Sequence, residues 1–207
     1  MYSSFKRFMD VILSVFALIV LSPVMLIVAI IIKLTSPGPV IFVQKRVGKD
    51  GKVYDMYKFR SMCVGAEQQE GGVFCTKGDA RVTPIGKFIR ATSIDELPQL
   101  VNIIKGEMSL IGPRPVLTYY PKNWEEYTQE ELKRFDVLPG VTGWAAVHGR
   151  KTNTIEARFA YDNYYVDNLS FALDLKIFFM TIKSVLTNEG NEDDGSAETV
   201  AAKKDLE

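Results

Sequence analysis

The stretch VILSVFALIVLSPVMLIVAIII, residues 11–32, decides how the rest of the chain is organised. Only Ser14, Ser22 and Pro23 interrupt its run of aliphatic and aromatic residues. A straight α-helix of this length would reach roughly 33 Å, enough to cross the hydrocarbon core of a bilayer. The run is too long for a secretory signal peptide, and no small-residue cleavage site follows it. We therefore predict a membrane segment over residues 1–36.

Two paths through the membrane are open for this segment. Lys6 and Arg7 precede the apolar run, and several more basic residues follow it. Since basic flanks prefer the cytoplasm, a single crossing would place one set of bases on the disfavoured side. Pro23 cannot donate a hydrogen bond to the carbonyl of Ile19, which favours a bend or break beside Ser22. A re-entrant hairpin that turns at Ser22-Pro23 satisfies both observations, and a kinked crossing helix is the alternative.

Charge is divided unevenly along the chain, which has 207 residues with 25 basic and 25 acidic side chains. Residues 188–207 hold seven acids and two bases and lack aromatic residues, which predicts a disordered tail. Residues 1–187 therefore carry a net charge of +5, with most of the excess in residues 1–60. Such a body suits phospholipid headgroups or a phosphate-bearing substrate. Nucleic acid is not among the partners we expect.

The composition excludes several other classes of protein. Hydrophobic residues make up 47% of the chain and charged residues 24%, which excludes global disorder. Two cysteines cannot form a disulfide framework, and a reduced, cytosolic setting is the simpler interpretation. The only histidine, His148, excludes a two-histidine metal site and is expected to be structural. No nucleotide-binding glycine loop and no CxxC motif is present.

A β-hairpin is predicted after the membrane segment, with strands over residues 40–47 and 53–60 and a turn at 49–51. The two-residue period of the second strand places Lys58 and Arg60 on one face. Two interpretations of that face are open, because it could be an ordinary solvated surface or a phosphate-binding surface.

Helices are predicted to make up most of the remaining chain. Thr83-Pro84 is typical of a helix start, and Gly106 is typical of the end of the next helix. An amphipathic helix over residues 171–186 could belong to the core or lie in the membrane interface, and we favour membrane contact. The fold class is therefore α/β, mostly helical with a small β-hairpin.

The adjacent acids Asp95 and Glu96 are the most informative pair. Ser93-x-x-Glu96 matches a capping box, which would give both acids a structural role. Pro98 weakens that interpretation, because it would fall at the fifth helical position, where its missing N–H costs a bond. If the helix instead starts at Asp95 or Glu96, Pro98 falls in the first turn, where the missing N–H costs little. A carboxylate at that helix start faces unsatisfied backbone N–H groups, which also suit a phosphate. One acid could then attack as a nucleophile while its neighbour moves a proton.

Arginines in turn-rich segments complete the candidate site. Gly112-Pro113-Arg114-Pro115 is a stiff segment, and an arginine held in this way suits bidentate phosphate recognition. Arg150 follows His148 and Gly149 in another such stretch. Several bases around one acidic pair suggest Mg²⁺-assisted phosphoryl transfer beside a membrane.

Together, these motifs resemble the small monotopic phosphoglycosyl transferases, a bacterial sugar transferase family that acts on polyprenol phosphate. The resemblance covers Lys6 to about Leu186 and is specific because the motifs occur together and in order. They are Lys6-Arg7, Ser22-Pro23, and residues 57–62, 93–100, 108–115, 139–144, 149–150 and 162–174.

The resemblance implies an architecture and a reaction. A re-entrant membrane helix hairpin over residues 1–36 would anchor a compact catalytic domain, 37–187, with interfacial amphipathic helices on the cytoplasmic face of the bacterial inner membrane. Asp95 would attack the β-phosphate of a UDP-sugar, releasing UMP and leaving a phosphosugar on the enzyme. Polyprenol (undecaprenyl) phosphate would then take the phosphosugar. Glu96 would assist proton transfer, and Mg²⁺ would be held partly by Asp95.

The same resemblance implies a set of substrate-binding residues. Arg90 and Arg114 would contact phosphates, with Lys58 and Arg60 near the headgroup site. Arg150, Asp162 and Asp174 join this set without a defined role.

Several alternatives stay open. A direct glycosyltransferase would release UDP, although the chain lacks an Asp-x-Asp motif. A non-catalytic membrane adaptor would use only the basic face. Neither the sugar nor the glycan pathway is specified by the sequence, and a homodimer is compatible with it.

Overall fold

The fold is mixed α/β and mostly helical over the residues that the computed structural model describes, namely 2–69, 72, 75, 78–148 and 154–187. The helices are α1 (Tyr2–Thr35), α2 (Pro84–Ala91), α3 (Gln99–Lys105), α4 (Gln129–Leu132), α5 (Trp144–Val147), α6 (Ile155–Asp167) and α7 (Phe171–Thr187). The strands are β1 (Ile41–Val47), β2 (Val53–Phe59), β3 (Ser109–Ile111), β4 (Val116–Leu117) and β5 (Gly140–Thr142). This confirms the predicted fold class at the level of secondary structure.

The apolar run lies within α1, a single helix of 34 residues. Within the described part of the chain, α1 is the one helix long and apolar enough to cross a membrane, and only 11% of its 18-residue apolar window is buried. Pro23 lies inside the helix, and the carbonyl of Ile19 accepts a hydrogen bond of 2.8 Å from the Ser22 hydroxyl. The helix is not interrupted at Ser22-Pro23, where the serine hydroxyl replaces the donor that proline lacks. The re-entrant path stays a prediction.

Both ends of α1 are attached to the same globular body. Near the N-terminus, the Arg7 guanidinium donates to the carbonyl of Ile103 in α3, at 2.6 Å. Just beyond the C-terminus, the Arg60 guanidinium donates to the carbonyls of Ser36, at 2.7 Å, and Pro37. The helix is therefore attached to the globular part at its two ends, and Ala17, Leu18, Met25 and Val28 pack against the core between them.

The predicted hairpin is confirmed, and it forms a sheet with the strand order β2-β1-β4. All neighbours in this sheet are antiparallel. The hairpin register pairs Val47 with Val53 beside the turn and Ile41 with Phe59 at the far end. The turn between the strands, Lys49–Gly51, matches the turn predicted at residues 49–51.

The face of β2 that carries Lys58 and Arg60 is an inner face. Tyr54 and Met56, on the same face, are buried in a cluster that includes residues of α3. The side chain of the buried Asn102, in α3, bridges the backbone on either side of Met56. It accepts a hydrogen bond of 3.0 Å from the N–H of Tyr57 and donates one of 2.7 Å to the carbonyl of Asp55. The interpretation of Lys58 and Arg60 as a solvated surface is therefore wrong, because α3 and α1 cover this face.

The second sheet consists of β3 and β5, which pair in parallel and bring Gly112 close to Gly140 and Gly143. A Cβ atom on Gly140 would lie 2.1 Å from the backbone nitrogen of Gly112, and one on Gly143 would lie 2.1 Å from its carbonyl oxygen. Only glycine allows backbones to approach so closely. The pairing brings residues 112–115 beside residues 139–144, which the sequence presents as separate turns.

The helix boundaries at Thr83 and Gly106 are also confirmed. The Thr83 hydroxyl caps α2 by accepting a hydrogen bond of 3.0 Å from the backbone of Gly86. Gly106 follows α3 with φ 90°, in the left-handed region that favours glycine. The predicted amphipathic helix corresponds to α7, and the predicted tail, 188–207, lies outside the described residues.

Candidate active site

The acid pair lies on a 3₁₀ turn, Ile94–Glu96, between α2 and α3. Ser93 has a left-handed backbone with φ 56°, and its side chain makes no capping hydrogen bond within the described chain. The capping-box interpretation of this serine is therefore wrong. The helix α3 begins at Gln99, directly after Pro98, and not at Asp95 or Glu96 as predicted. The proline therefore removes no hydrogen bond from the helix interior.

The Glu96 carboxylate joins three parts of the chain. Its Oε1 atom lies 2.9 Å from Nζ of Lys58, on β2, and 3.9 Å from Nη2 of Arg114. The exposed fraction of the side chain is 39% for Arg114, 18% for Lys58 and 10% for Glu96. An anionic group that approaches from solvent would therefore meet Arg114 first.

Burial and neighbouring charges set the protonation of Lys58. Burial lowers the pKa of the Lys58 ammonium below its usual range, and the positive charge of Arg114 adds to this effect. The carboxylates of Glu96 and Asp95 raise the same pKa and so oppose it. The acid pair therefore favours the charged form of this half-buried lysine.

The structure brings four of the predicted site residues into one cluster. Asp95 is half-buried and influences Lys58 electrostatically. Arg90 is half-buried in the last turn of α2, which packs against the turn that carries the acids. The cluster consists of Lys58, Asp95, Glu96 and Arg114, with Arg90 on the adjoining helix.

Three other predicted residues have partners elsewhere. Arg60 is buried against the end of α1. Asp162, on α6, accepts a hydrogen bond of 2.6 Å from Arg134. Asp174, on α7, forms an ion pair of 2.8 Å with Lys6 of α1. Their contacts with a substrate stay predictions.

Two arginines that sequence patterns do not single out, one buried and one half-buried, hold the backbone around Arg114. Arg134 donates to the carbonyl of Arg114 at 2.7 Å, and Arg46 donates to the carbonyl of Pro115 at 3.1 Å. Both arginines lie in stretches of mixed charge that are typical of solvated surfaces, so no local signal identifies them. Arg150 lies outside the described residues.

One carboxylate of the acid pair would suit a Mg²⁺ ion that also binds a substrate phosphate. Among the described residues, no group of three or more His, Cys, Asp or Glu side chains could enclose a metal. Mg²⁺ is usually bound by one or two carboxylates together with substrate phosphates and water. Asp95 could supply such a carboxylate, and Glu96 forms the ion pair with Lys58.

These features define a class of protein. Its members have a helix long and apolar enough to cross a membrane and a site in which an acid pair lies beside a lysine and an arginine. The sequence profile of the family described as bacterial sugar transferase matches residues 1–188. The chain belongs to this family, as its motifs indicate.

Three relatives illustrate the family. The UDP-N-acetylgalactosamine-undecaprenyl-phosphate N-acetylgalactosaminephosphotransferase of Aeromonas hydrophila is 46% identical over 91% of this chain and 45% of its own length. The UDP-glucose:undecaprenyl-phosphate glucose-1-phosphate transferase of Klebsiella pneumoniae is 44% identical over 86% and 39%, respectively. The exopolysaccharide production protein PSS of Rhizobium leguminosarum bv. phaseoli is 43% identical over 88% and 95%. The chain therefore spans less than half of the first two relatives and nearly all of the third.

Proposed function

We propose that the chain is a phosphoglycosyl transferase that moves a sugar phosphate from a UDP-sugar to polyprenol phosphate. The observation that carries this proposal is the cluster of Asp95, Glu96, Lys58 and Arg114 in a bacterial sugar transferase. Relatives with 40–46% identity bear names of undecaprenyl-phosphate sugar-phosphate transferases. The product, a polyprenol-diphosphate sugar, would begin the assembly of a capsule, an O-antigen, an exopolysaccharide or a glycoprotein glycan.

The first step forms a covalent bond at Asp95. A carboxylate oxygen attacks the β-phosphorus of the UDP-sugar, and the bond from that phosphorus to the bridging oxygen breaks. UMP leaves with the bonding electron pair, and the sugar phosphate stays on Asp95 as an acyl phosphate. Arg114 and Lys58 offset the charge of the diphosphate. When bound, Mg²⁺ would be held partly by Asp95 and would neutralise further phosphate charge.

The second step transfers the sugar phosphate to the lipid. An oxygen of polyprenol phosphate attacks the same phosphorus, and the bond to Asp95 breaks, which frees the carboxylate for another cycle. Glu96, the neighbour of Asp95 on the turn, accepts the proton of the acceptor phosphate if that phosphate enters protonated.

A membrane position for the site is supported by two exposed apolar surfaces. The helix α1 is apolar and largely exposed, and α7 exposes a row of apolar side chains. Ring centroids of Phe5 and Phe171 lie 6.3 Å apart, so these surfaces adjoin. Because both ends of α1 contact one globular body, we infer that α1 enters and leaves the membrane on its cytoplasmic face, as a re-entrant segment. Phospholipid headgroups would then meet the basic residues beside α1.

The released nucleotide tests the reaction class. Purified protein with polyprenol phosphate, Mg²⁺ and a panel of UDP-sugars, beginning with UDP-N-acetylgalactosamine and UDP-glucose, should release UMP. Release of UDP would instead support a direct glycosyltransferase, and no turnover with the whole panel would support a non-catalytic membrane adaptor.

A trapping experiment tests the nucleophile. Without acceptor, a UDP-sugar labelled at the β-phosphate should leave its label on the wild-type protein and not on an Asp95→Asn variant. Asp55→Asn is a matched control, because Asp55 is exposed and pairs with Lys45 on the hairpin. Label retained by Asp95→Asn would remove Asp95 from the nucleophile's role.

A further inference from the structure

The backbone of Arg114 is held from inside the protein, although its side chain faces outward. The carbonyl of Arg114 accepts a hydrogen bond of 2.7 Å from Nη2 of Arg134. The next carbonyl, of Pro115, accepts one of 3.1 Å from Nη1 of Arg46. Arg134 is buried and Arg46 is half-buried, whereas the Arg114 side chain is 39% exposed.

Asp162 fixes the guanidinium of Arg134. Its Oδ2 atom accepts hydrogen bonds from Nη2, at 2.6 Å, and from Nε, at 3.1 Å. Each side chain of this pair is 1% exposed. The guanidinium carbon also lies 4.5 Å from the ring centroid of Phe159 and 5.3 Å from that of Phe135. Arg134 therefore cannot turn away from Arg114 without breaking a buried ion pair and leaving two aromatic rings.

We propose that Arg134 and Asp162 are positioning residues for Arg114. They hold its backbone so that its guanidinium lies between Glu96 and the diphosphate of the donor. This inference rests on the proposed function and gives Asp162 a role that involves no contact with substrate. A displacement of about 1 Å in a group that orients a substrate can reduce the rate on the order of 100-fold.

The test is a double-mutant cycle with a paired apolar replacement. Arg134→Met combined with Asp162→Leu removes both charges together and leaves no buried charge without a partner. We expect a folded protein in which kcat/KM for the UDP-sugar falls by about 10-fold to 100-fold. In an Arg114→Ala background, the same pair of substitutions should change kcat/KM less than about threefold, because residues that act through one another are not additive.

Two further variants separate positioning from general support of the fold. Arg134→Lys keeps the charge and one donor, so its loss should be smaller than that of the paired replacement. Lys133→Met with Asp167→Leu removes an exposed ion pair between the neighbour of Arg134 and the helix α6, which carries Asp162, and should change kcat/KM less than about twofold. Equal losses from the Arg134 and Asp162 replacement in both backgrounds would overturn the proposal.

A binding measurement keeps the inference distinct from the proposed reaction. Calorimetric titration with UDP should show the same coupling between the buried pair and Arg114, even if the wild-type chain releases no UMP. The proposal would also be overturned if Arg114→Ala left UDP binding unchanged. It would be overturned equally if the Arg134 and Asp162 replacement weakened UDP binding by the same factor with and without Arg114→Ala.

Discussion

At the scale of single residues, the site depends on one close contact between opposite charges. Nζ of Lys58 lies 2.9 Å from Oε1 of Glu96. Burial lowers the pKa of Lys58, and Glu96 is the largest influence in the opposite direction. Since a lysine is charged only below its pKa, Glu96 extends the pH range over which this side chain can attract a diphosphate.

Glu96→Gln should therefore lower the pKa of Lys58 further below its ordinary value of about 10.4. The variant keeps the shape of the side chain and removes the charge that favours the ammonium form. NMR titration of lysines labelled with ¹³C at Cε would follow Lys58 directly. Asp55→Asn, which breaks only the exposed pair with Lys45, should leave the Lys58 titration unchanged. A Lys58 pKa that rises or stays constant in Glu96→Gln would contradict this account.

At the scale of secondary structure elements, the sequence predicts those whose signals are local. The turn Lys49–Gly51 predicts the hairpin, Thr83 predicts the start of α2, and Gly106 predicts the end of α3. The parallel pair β3 and β5 has no such signal, because each strand has three residues and its partner lies about 30 positions away.

The same distinction applies to the site. The acid pair and Arg114 stand in recognisable motifs, whereas the inward orientation of Lys58 depends on the helix α3 that covers β2. The role of Arg134 depends on a contact with an aspartate 28 positions further along the chain. A sequence pattern cannot supply such long-range partners.

The path of α1 gives a prediction at this scale. Pro23→Ala restores a backbone donor for the Ile19 carbonyl, but it leaves the attachments of both helix ends in place. If α1 follows the proposed re-entrant path, we expect the N-terminus to stay on the cytoplasmic side in Pro23→Ala. It should move to the opposite side only when Lys6→Met and Arg7→Met also remove two contacts between the N-terminal part of α1 and the globular part, together with their basic charge.

Labelling of a Ser3→Cys variant with a membrane-impermeant maleimide in spheroplasts would report this topology. Cys63→Ser and Cys75→Ser would first remove the native thiols. Labelling from outside in the Pro23→Ala variant alone would show that the proline, rather than the attached ends, sets the path.

At the scale of the whole molecule, Asp174 ties α1 to two other helices. Its carboxylate accepts hydrogen bonds from the hydroxyls of Tyr2, at 2.5 Å, and Tyr165, at 2.7 Å, and pairs with Lys6 at 2.8 Å. This junction couples α1 to α6 and α7. The partners also explain why Asp174 is buried although it is charged.

Asp174→Asn should destabilise the protein by about 2 kcal/mol, because a hydrogen bond to a charged group contributes about 1.5–3 kcal/mol. In a chain of this size, the loss corresponds to a fall in Tm of about 4–8 °C. Thermal unfolding in detergent or nanodiscs would measure it. Asp55→Asn, which breaks an exposed pair, should shift Tm by far less. Equal shifts in the two variants would show that the junction adds no stability.

The apolar face of α7 predicts how the molecule presents its site to a lipid. Phe178 and Phe179 are 51% and 61% exposed, and burial of such a side chain contributes about 1.5–3 kcal/mol. Phe178→Ser with Phe179→Ser should keep the burst of UMP from the water-soluble donor but reduce turnover with polyprenol phosphate in nanodiscs about tenfold. The protein should stay membrane-bound, because α1 is unchanged.

Val43→Ser with Val53→Ser provides the matched control, because these two side chains are 49% and 54% exposed on the hairpin. This pair should leave the burst and the turnover nearly unchanged. An equal loss of burst and turnover in the α7 variant would mean that the phenylalanines support the site itself. A loss of turnover alone would mean that α7 places an otherwise intact site at the depth where the acceptor phosphate lies.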